Sequence, residues 1–316
     1  EPSAGDVLIE VGASSLNALD WHMRNGTPYL LRLSGGLRRP KRLIDGADVA
    51  GTVVALGTDL AETASLRVGD RVFGECSGGG FGEYLTTGAD TVVAIAPGVD
   101  FHAAGATAVA GLTALQGLRT QAGVEPGDRV LINGASGGVG TCAVQIAKAL
   151  GATVTAVCSA RNVEMVRSLG ADEVIDYTTH DFTDAGPRFE VLFDGVGNRS
   201  AQECLRVLVP DGRFVLVSGP KSNRWLGPAA HIAQAELAGD LNGRLLVCLE
   251  RHLLLAALPS GLARVHVDGG KRLRRVDDDA ATAGQRHLGR GDVLQLTLEA
   301  EVREQRHLAG VELHPV

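Results

Sequence analysis

The residues best suited to chemistry form a glycine-rich turn between a predicted strand and a predicted helix. Residues 129–132 read as a short apolar strand, and from Val139 onward apolar residues recur at helical spacing until Gly151. The turn between them contains Gly134, Ala135, Ser136, Gly137, Gly138, Val139 and Gly140. Glycines let the backbone approach a pyrophosphate, and a helix start supplies free amide groups and partial positive charge. The segment therefore predicts a dinucleotide site, with a purely structural turn as the alternative.

The end of the next predicted strand, residues 153–157, indicates which dinucleotide is bound. An NAD site usually places Asp or Glu there, about 20 residues beyond the glycines. Here the strand leads instead into Ser159 and Arg161. Ser159 can donate a hydrogen bond to a ribose 2′-phosphate and Arg161 can pair with it, which predicts NADPH as the cofactor. The alternative for Arg161 is a solvated residue at a helix start.

These residues need a parallel sheet to position them. Helices are predicted at 139–150, 161–169 and 199–208, and they alternate with strands at 129–132, 153–157, 173–176, 190–194 and 213–218. Such alternation predicts an α/β fold with a doubly wound parallel sheet of the Rossmann type. Residues 101–123 are also predicted to be helical. Weaker patterns suggest a helix at 229–249 and a strand at 291–298.

The first part of the chain has a different pattern. Residues 1–98 are β-rich, with short strands predicted at 6–11, 48–54 and 70–73 and another starting at 82–85. Many short strands separated by turn signals predict a small barrel-like domain.

Composition limits the possible functions. With 316 residues, 45% hydrophobic and 21% charged, the chain suits a globular protein of two domains. The net charge of −7 argues against a nucleic-acid partner, and no apolar run reaches the ~18–20 residues of a membrane span. The five cysteines are scattered, so neither a disulfide framework nor a cysteine zinc site is expected, and reduced thiols suggest a cytoplasmic location.

Several segments together resemble the zinc-independent quinone oxidoreductases of the zeta-crystallin type, within the medium-chain dehydrogenase/reductase superfamily. The longest match is residues 127–148, which contain the glycine-rich turn. The other matching segments are residues 5–26, 46–51, 68–74, 79–84, 110–114, 167–172 and 193–197.

The resemblance implies a three-part organisation. Residues 1–98 would form a β-rich GroES-like catalytic domain, N-terminally truncated relative to the family. Residues 99–245 would form the Rossmann cofactor-binding domain. Residues 246–316 would be a divergent tail, with a return to the catalytic domain as the open alternative.

The resemblance also bears on zinc. Zinc alcohol dehydrogenases of this superfamily have a Cys and a Gly-His-Glu motif where this chain has Asn17 and Gly46-Ala47-Asp48. Zinc prefers sulfur and nitrogen ligands, so no metal site is expected. His22 lies nearby in sequence, but a lone histidine is more often a hydrogen-bonded surface or core residue.

Further site residues follow from the resemblance alone. It places Asn17 and Asp20 beside the nicotinamide and substrate as catalytic residues, with turn chemistry as their alternative. It places Thr113, Tyr177 and Val196 against the cofactor; for Thr113 the alternative is a helix threonine bonding its own backbone. Trp21 and Tyr29 face either the substrate or the core.

The resemblance implies an NADPH-dependent oxidoreductase that transfers hydride to a quinone or an α,β-unsaturated carbonyl without zinc. Two alternatives stay open: an alcohol dehydrogenase or aldehyde reductase of the same superfamily, and a catalytically silent NADPH-binding protein. The expected partner is a small-molecule substrate, with no nucleic acid and no membrane, and a homodimer is the candidate assembly.

Overall fold

The computed structural model describes residues 1–29, 32, 36, 43–60, 66–218 and 245–247. Within these residues the β-rich first part forms a five-stranded antiparallel sheet in the order β4-β1-β2-β3-β5. Its strands are β1 (Asp6–Ala13), β2 (Asp48–Leu56), β3 (Arg71–Glu75), β4 (Tyr84–Gly88) and β5 (Val92–Ala94). Alternate side chains such as Val7 and Ile9 point into a buried apolar core, which explains the alternation seen in the sequence.

The second sheet has six parallel strands among the described residues, in the order β11-β10-β9-β6-β7-β8. They are β6 (Arg129–Asn133), β7 (Thr153–Cys158), β8 (Glu173–Asp176), β9 (Phe189–Asp194), β10 (Leu208–Leu216) and β11 (Leu245–Val247). Val130, Leu131 and Ile132 in β6 are fully buried, as expected for a strand covered on both faces. The strand order reverses between β6 and β9, and ligands of such sheets bind beyond the carboxyl ends of the strands at this point.

The helices belong to both parts of the chain. In the described residues they are α1 (Ala18–Asn25), α2 (Phe101–Gly105), α3 (Ala108–Leu115), α4 (Gly138–Ala149), α5 (Val163–Ser168) and α6 (Ala201–Arg206). Helices α1 and α2 accompany the antiparallel sheet, whereas α4, α5 and α6 cover the two faces of the parallel sheet. Helix α4 buries Ala143, Val144 and Ala147, the apolar face that its 3.6-residue period predicts. The expected α/β architecture, a Rossmann sheet with a β-rich GroES-like domain, is therefore confirmed.

One prediction in this region was wrong in detail. Residues 101–123 do not form a continuous helix, because α2 ends at Gly105, α3 starts at Ala108 and a π-helical segment covers Gln116–Gln121. The Thr107 hydroxyl donates to the Ala103 carbonyl at 2.6 Å, and the start of α3 is bonded by Asp48 from a distant strand. Local composition carries no sign of that long-range contact.

The predicted helix 199–208 was too long at both ends. A capping box fixes its start, because Ser200 and Glu203 bond each other's backbone amides, and the helix runs only over Ala201–Arg206. Leu208 already pairs with Phe189 in the sheet, since tertiary pairing overrides the local helical pattern.

Other predictions fall outside the described residues. The helix predicted at 229–249 was wrong at residues 245–247, which form a strand. The rest of that segment and the strand predicted at 291–298 lie outside the described residues. Among the described residues, no helix combines the length and the apolar character needed to cross a bilayer.

Candidate active site

The glycine-rich turn sits at the reversal point of the parallel sheet, where its geometry requires glycine at two positions. Gly134 follows β6 with φ of +86°, and a Cβ there would lie 2.6 Å from a methyl carbon of Val196. A Cβ at Gly140 would lie 2.1 Å from the Gly134 carbonyl oxygen, which is far inside contact distance. These glycines therefore make the tight return of the chain possible.

Two further glycines leave an open helix start. Gly137 precedes α4, and among the described residues outside this helix and its immediate neighbours no heavy atom lies within 4 Å of the point where a Cβ at Gly138 would be. Gly138, Val139 and Gly140 are the first residues of the helix, so their backbone amides have no carbonyl partner within it. Open space in front of free amides and a positive helix end fits a phosphate group.

The remaining predicted residues of the turn contribute less directly. Ala135 is fully buried and its amide donates to the Val157 carbonyl at 3.0 Å, so only its backbone shapes the turn. Ser136 and Val139 are half-buried, and Val139 packs against the core of the sheet.

The loop after β9 faces this turn, and sequence reasoning missed what holds it. Asp194 is fully buried, and its carboxylate accepts hydrogen bonds from the amides of Val196 and Gly197, each at 2.9 Å. The Asn133 side chain donates to Asp194 at 2.8 Å and to Asn198 at 3.0 Å. Val196, predicted to contact cofactor, is thereby fixed beside Gly134 and left 40% exposed. The sequence did contain an indication of this contact, because the polar residues Asn133 and Asp194 are the last residues of two adjacent parallel strands.

The residues predicted to read the 2′-phosphate also come together. Cys158 at the end of β7 pairs with Asp176 at the end of β8, and the Tyr177 amide donates to the Cys158 carbonyl at 3.2 Å. Ser159 and Arg161 follow β7 directly, so they share this edge of the sheet with the exposed Tyr177 ring. Within the described part of the chain the exposed Arg161 guanidinium makes no hydrogen bond or ion pair.

An acid does stand at this edge, but at the end of β8 instead of β7. Hydrogen bonds from the backbone and side chain of Thr178 lower the pKa of Asp176, so it is ionised at neutral pH. Asp176 thus adds negative charge near Ser159, a feature that the sequence analysis did not anticipate.

The catalytic residues predicted in the first domain are held by a network of hydrogen bonds. Asp20 is 7% exposed and accepts from the amides of Gly46 at 3.1 Å, Ala47 at 3.0 Å and Asn17 at 2.7 Å. Because its carboxylate is directed at backbone amides, we propose that Asp20 positions this loop and that its neighbour Asn17 is the residue presented at the site.

Asn17 belongs to a cluster of Ser15, Asn17, Asp48 and Val109, called the Asp48 cluster below. The Asn17 side-chain nitrogen donates to the Asp48 carboxylate at 2.8 Å and to the Ser15 hydroxyl at 3.2 Å. Ser15 also donates to Asp48, and the Val109 amide in α3 donates to it at 2.7 Å. Burial raises the pKa of the Asp48 carboxyl, although these hydrogen bonds favour its ionised form.

The Asp48 cluster lies near the helix that starts at the glycine-rich turn. The Cys142 thiol in α4 has a pKa raised first by burial and further by the negative charge of Asp48. Thr113 in α3 is 7% exposed and its hydroxyl donates to the Val109 carbonyl at 2.7 Å, which is the helix-internal bond considered as its alternative role. Helices α3 and α4 also pack against each other, so the Asp48 cluster and the glycine-rich turn are linked through these two helices.

The aromatic candidates differ in position. Trp21 is 57% exposed, so its ring is not part of the core. Tyr29 is half-buried, with the Arg32 guanidinium 4.6 Å from the centre of its ring. His22 bonds the Thr27 carbonyl through its Nδ1 atom at 2.7 Å, the hydrogen-bonded surface role expected for a lone histidine.

Two family profiles match the chain in agreement with this architecture. The profile described as the alcohol dehydrogenase GroES-like domain matches residues 3–110, and that described as zinc-binding dehydrogenase matches residues 138–237.

The name of the second profile implies zinc, but the residues here do not fit it. Asn17 and Asp48 bond each other, Ala47 has no ligand atom, and the described residues contain no group of three or more His, Cys, Asp or Glu able to hold a metal.

Curated relatives belong to the same group of enzymes. A zinc-type alcohol dehydrogenase-like protein of Schizosaccharomyces pombe is 36% identical over 231 residues, which cover 70% of this chain and 65% of that protein. A chloroplastic quinone oxidoreductase of Triphysaria versicolor is 42% identical over 188 residues, covering 56% of this chain and 54% of the relative. The chain thus spans less than two thirds of the length of these relatives.

Solved structures give the same result over more of the chain. The quinone oxidoreductase from Coxiella burnetii has 30% identity and a TM-score of 0.66, covering 81% of this chain and 78% of its own. The CurK enoyl reductase has 26% identity and a TM-score of 0.71, covering 99% and 83%. A mycobacterial protein complexed with NADPH has 26% identity and a TM-score of 0.63, covering 81% and 76%. The chain therefore belongs to the medium-chain dehydrogenase/reductase superfamily and is quinone oxidoreductase-like within it.

Proposed function

We propose that this protein is an NADPH-dependent reductase of quinones or α,β-unsaturated carbonyls that works without zinc. The observation that carries the proposal is the Asp48 cluster, in which Asn17 and Asp48 bond each other where related zinc enzymes have metal ligands. The names quinone oxidoreductase and enoyl reductase among the relatives support this choice of acceptor.

The residues of the parallel sheet would hold the cofactor. The amides at the start of α4 face open space at Gly138 and are proposed to bind the pyrophosphate. Ser159 and Arg161 are proposed to bind the 2′-phosphate, with Tyr177 beside the adenosine. Val196 and Thr113 are proposed to flank the nicotinamide, which supplies the hydride when bound.

The first domain would hold the acceptor. Reduction of a conjugated acceptor places negative charge on an oxygen, which hydrogen-bond donors can stabilise without a metal. Asn17 is half-buried at the start of α1, and both hydrogens of its side-chain amide are directed at Ser15 and Asp48. Asn17 is therefore proposed to orient the acceptor, while solvent donates to the developing oxyanion. Trp21 is exposed on the same helix and offers an aromatic surface to a quinone ring.

A combined binding and turnover experiment tests the proposal. The full chain is titrated with NADPH and NADH, and consumption of NADPH is then followed with a simple quinone, an enone and an aldehyde. We expect tighter binding of NADPH and turnover with the quinone or the enone. Turnover with the aldehyde alone would identify an alcohol dehydrogenase, and NADPH binding without any turnover would identify a silent binding protein.

A further inference from the structure

Asp48 connects segments that are far apart in the sequence. Its carboxylate accepts hydrogen bonds from Ser15 and Asn17 in the loop before α1 and from the Val109 amide in α3. Its own carbonyl accepts from the Ser14 hydroxyl at 2.7 Å. The side chain is fully buried, so these bonds are shielded from water.

The bond to Val109 gives α3 the cap that its own sequence does not supply. Thr107 stands at the N-cap position, but its hydroxyl donates backwards to the Ala103 carbonyl. Asp48 instead accepts from the second residue of the helix, which is the bond that an N-cap side chain normally makes. A carboxylate at a helix N-terminus is also stabilised by the helix dipole.

A chain of hydrogen bonds consequently connects two residues predicted for the site from opposite domains. It runs from the Asn17 amide to Asp48, from Asp48 to the Val109 amide, and from the Val109 carbonyl to the Thr113 hydroxyl. We propose that Asp48 is the positioning residue for the proposed reaction, because it fixes the acceptor-side Asn17 relative to the nicotinamide-side Thr113. This inference rests on the proposed function.

The role needs a carboxylate and not merely a polar side chain. The groups that face Asp48 from the loop and from α3 are hydrogen-bond donors, and an ionised carboxylate offers acceptors on both oxygens. In Asp48→Asn, one side-chain atom would become an NH2 group facing either the Val109 amide or the Ser15 and Asn17 side chains. Only turning of the Asn17 amide or loss of the cap on α3 would relieve that conflict.

The first readout is independent of activity. Amide hydrogen exchange is measured by mass spectrometry on peptides covering residues 14–21 and 106–113, in wild type and Asp48→Asn. Loss of the bond to Val109 should speed exchange in residues 106–113, and loss of the bonds to the loop should speed it in residues 14–21. At least one of the two peptides should therefore exchange about 2- to 30-fold faster. The matched control is Val53→Ala, a fully buried residue of the same strand, which should lower the thermal midpoint but leave both peptides near wild-type exchange.

The second readout is kinetic. Asp48→Asn should lower kcat for the quinone or enone about 10²-fold while leaving the NADPH dissociation constant within about twofold of wild type. In an Asn17→Ala background the same substitution should cost little further, because Asp48 acts through Asn17. Should Asp48→Asn fail to fold, Ser15→Ala removes a single donor and should lower kcat several-fold with the same dependence on Asn17.

The outcomes separate this inference from the proposed function. If the wild type turns over and the variants keep its kcat, the positioning role is overturned but the proposed function is not. The same holds if the effects of Asp48→Asn and Asn17→Ala are additive. A wild-type protein without turnover would refute the proposed function, and exchange would then decide whether Asp48 links the segments. Unchanged exchange in both peptides would overturn the inference regardless of activity.

Discussion

Two glycines of the turn, Gly138 and Gly140, offer a paired test of which positions serve the ligand and which serve the fold. Among the described residues outside its own helix and its chain neighbours, a Cβ at Gly138 would meet no heavy atom within 4 Å, and the φ of Gly138 is not positive. A Cβ at Gly140 would lie 2.1 Å from the Gly134 carbonyl oxygen and 2.8 Å from the Ala135 Cα atom. Alanine should therefore be accepted at 138 and resisted at 140.

The structure gives the size of each effect. At Gly140 the methyl group is about 1 Å too close to backbone atoms, which cannot rotate away as a side chain can. Overpacking of this kind costs about 3 kcal/mol, or about 6–12 °C in the thermal midpoint. Gly138→Ala should leave that midpoint unchanged or raise it slightly, because alanine favours a helix more than glycine does.

Gly138→Ala should instead weaken binding of NADPH. The added methyl group would occupy the space in front of the helix amides, and loss of one charge-assisted hydrogen bond costs about 1.5–3 kcal/mol. The dissociation constant should therefore rise about 10- to 100-fold.

Thermal unfolding without ligand and calorimetric titration with NADPH measure both effects on the same preparations. Wild-type affinity in Gly138→Ala would refute phosphate binding at this helix start. An unchanged midpoint in Gly140→Ala would refute the packing argument.

Two further predictions concern charge. In titrations at fixed ionic strength, Arg161→Ala should weaken the binding of NADPH about tenfold and leave the binding of NADH unchanged, and Ser159→Asp should reverse the preference between them. Arg167→Ala, which changes another exposed arginine, is the control. Equal weakening of both cofactors by Arg161→Ala would contradict the proposed role of Arg161. Hydrogen bonds from Arg129 lower the pKa of Glu190 in the folded protein below its ordinary value of 4.5. The pair therefore stabilises the fold fully above pH 4.5, and this stabilisation is lost as the pH falls through the pKa of Glu190 in the folded protein. Glu190→Gln should therefore lower the thermal midpoint slightly at pH 7, and the difference should shrink below pH 4.5; a difference that grows in acid would show the opposite linkage.

The parts of the fold that local sequence determines could be predicted. The strand, turn and helix around Gly134 and Gly140 follow from steric needs and apolar periods that lie within a few residues, and the structure has them within one residue at each end. The break between α2 and α3 could not be predicted, because it depends on Asp48, which is 61 residues away from Val109. The end of the helix before Leu208 likewise depends on pairing with Phe189.

The same distinction applies to the site. The sequence identified Gly134 to Gly140 and the residues after β7, whereas it marked Asp48 only as a position where zinc enzymes have a ligand motif. The hydrogen-bonding roles of Asn133, Asp194 and Asp48 could not be predicted, since each is a single polar residue whose role depends on tertiary neighbours. The roles of the predicted site residues, the domain boundaries, the homodimer and the cytoplasmic location remain predictions. The predicted tail, residues 246–316, lies almost wholly outside the described residues.

The most direct test of the central claim is the rate of NADPH consumption before and after zinc is removed. The full chain is assayed with a quinone or an enone as acceptor, its zinc content is determined, and the assay is repeated after exhaustive dialysis against a chelator. Because Asn17 and Asp48 bond each other in place of metal ligands, the rate should stay within about twofold, without stoichiometric zinc. About one zinc per chain, with activity lost on chelation and restored by added zinc, would contradict the proposed mechanism.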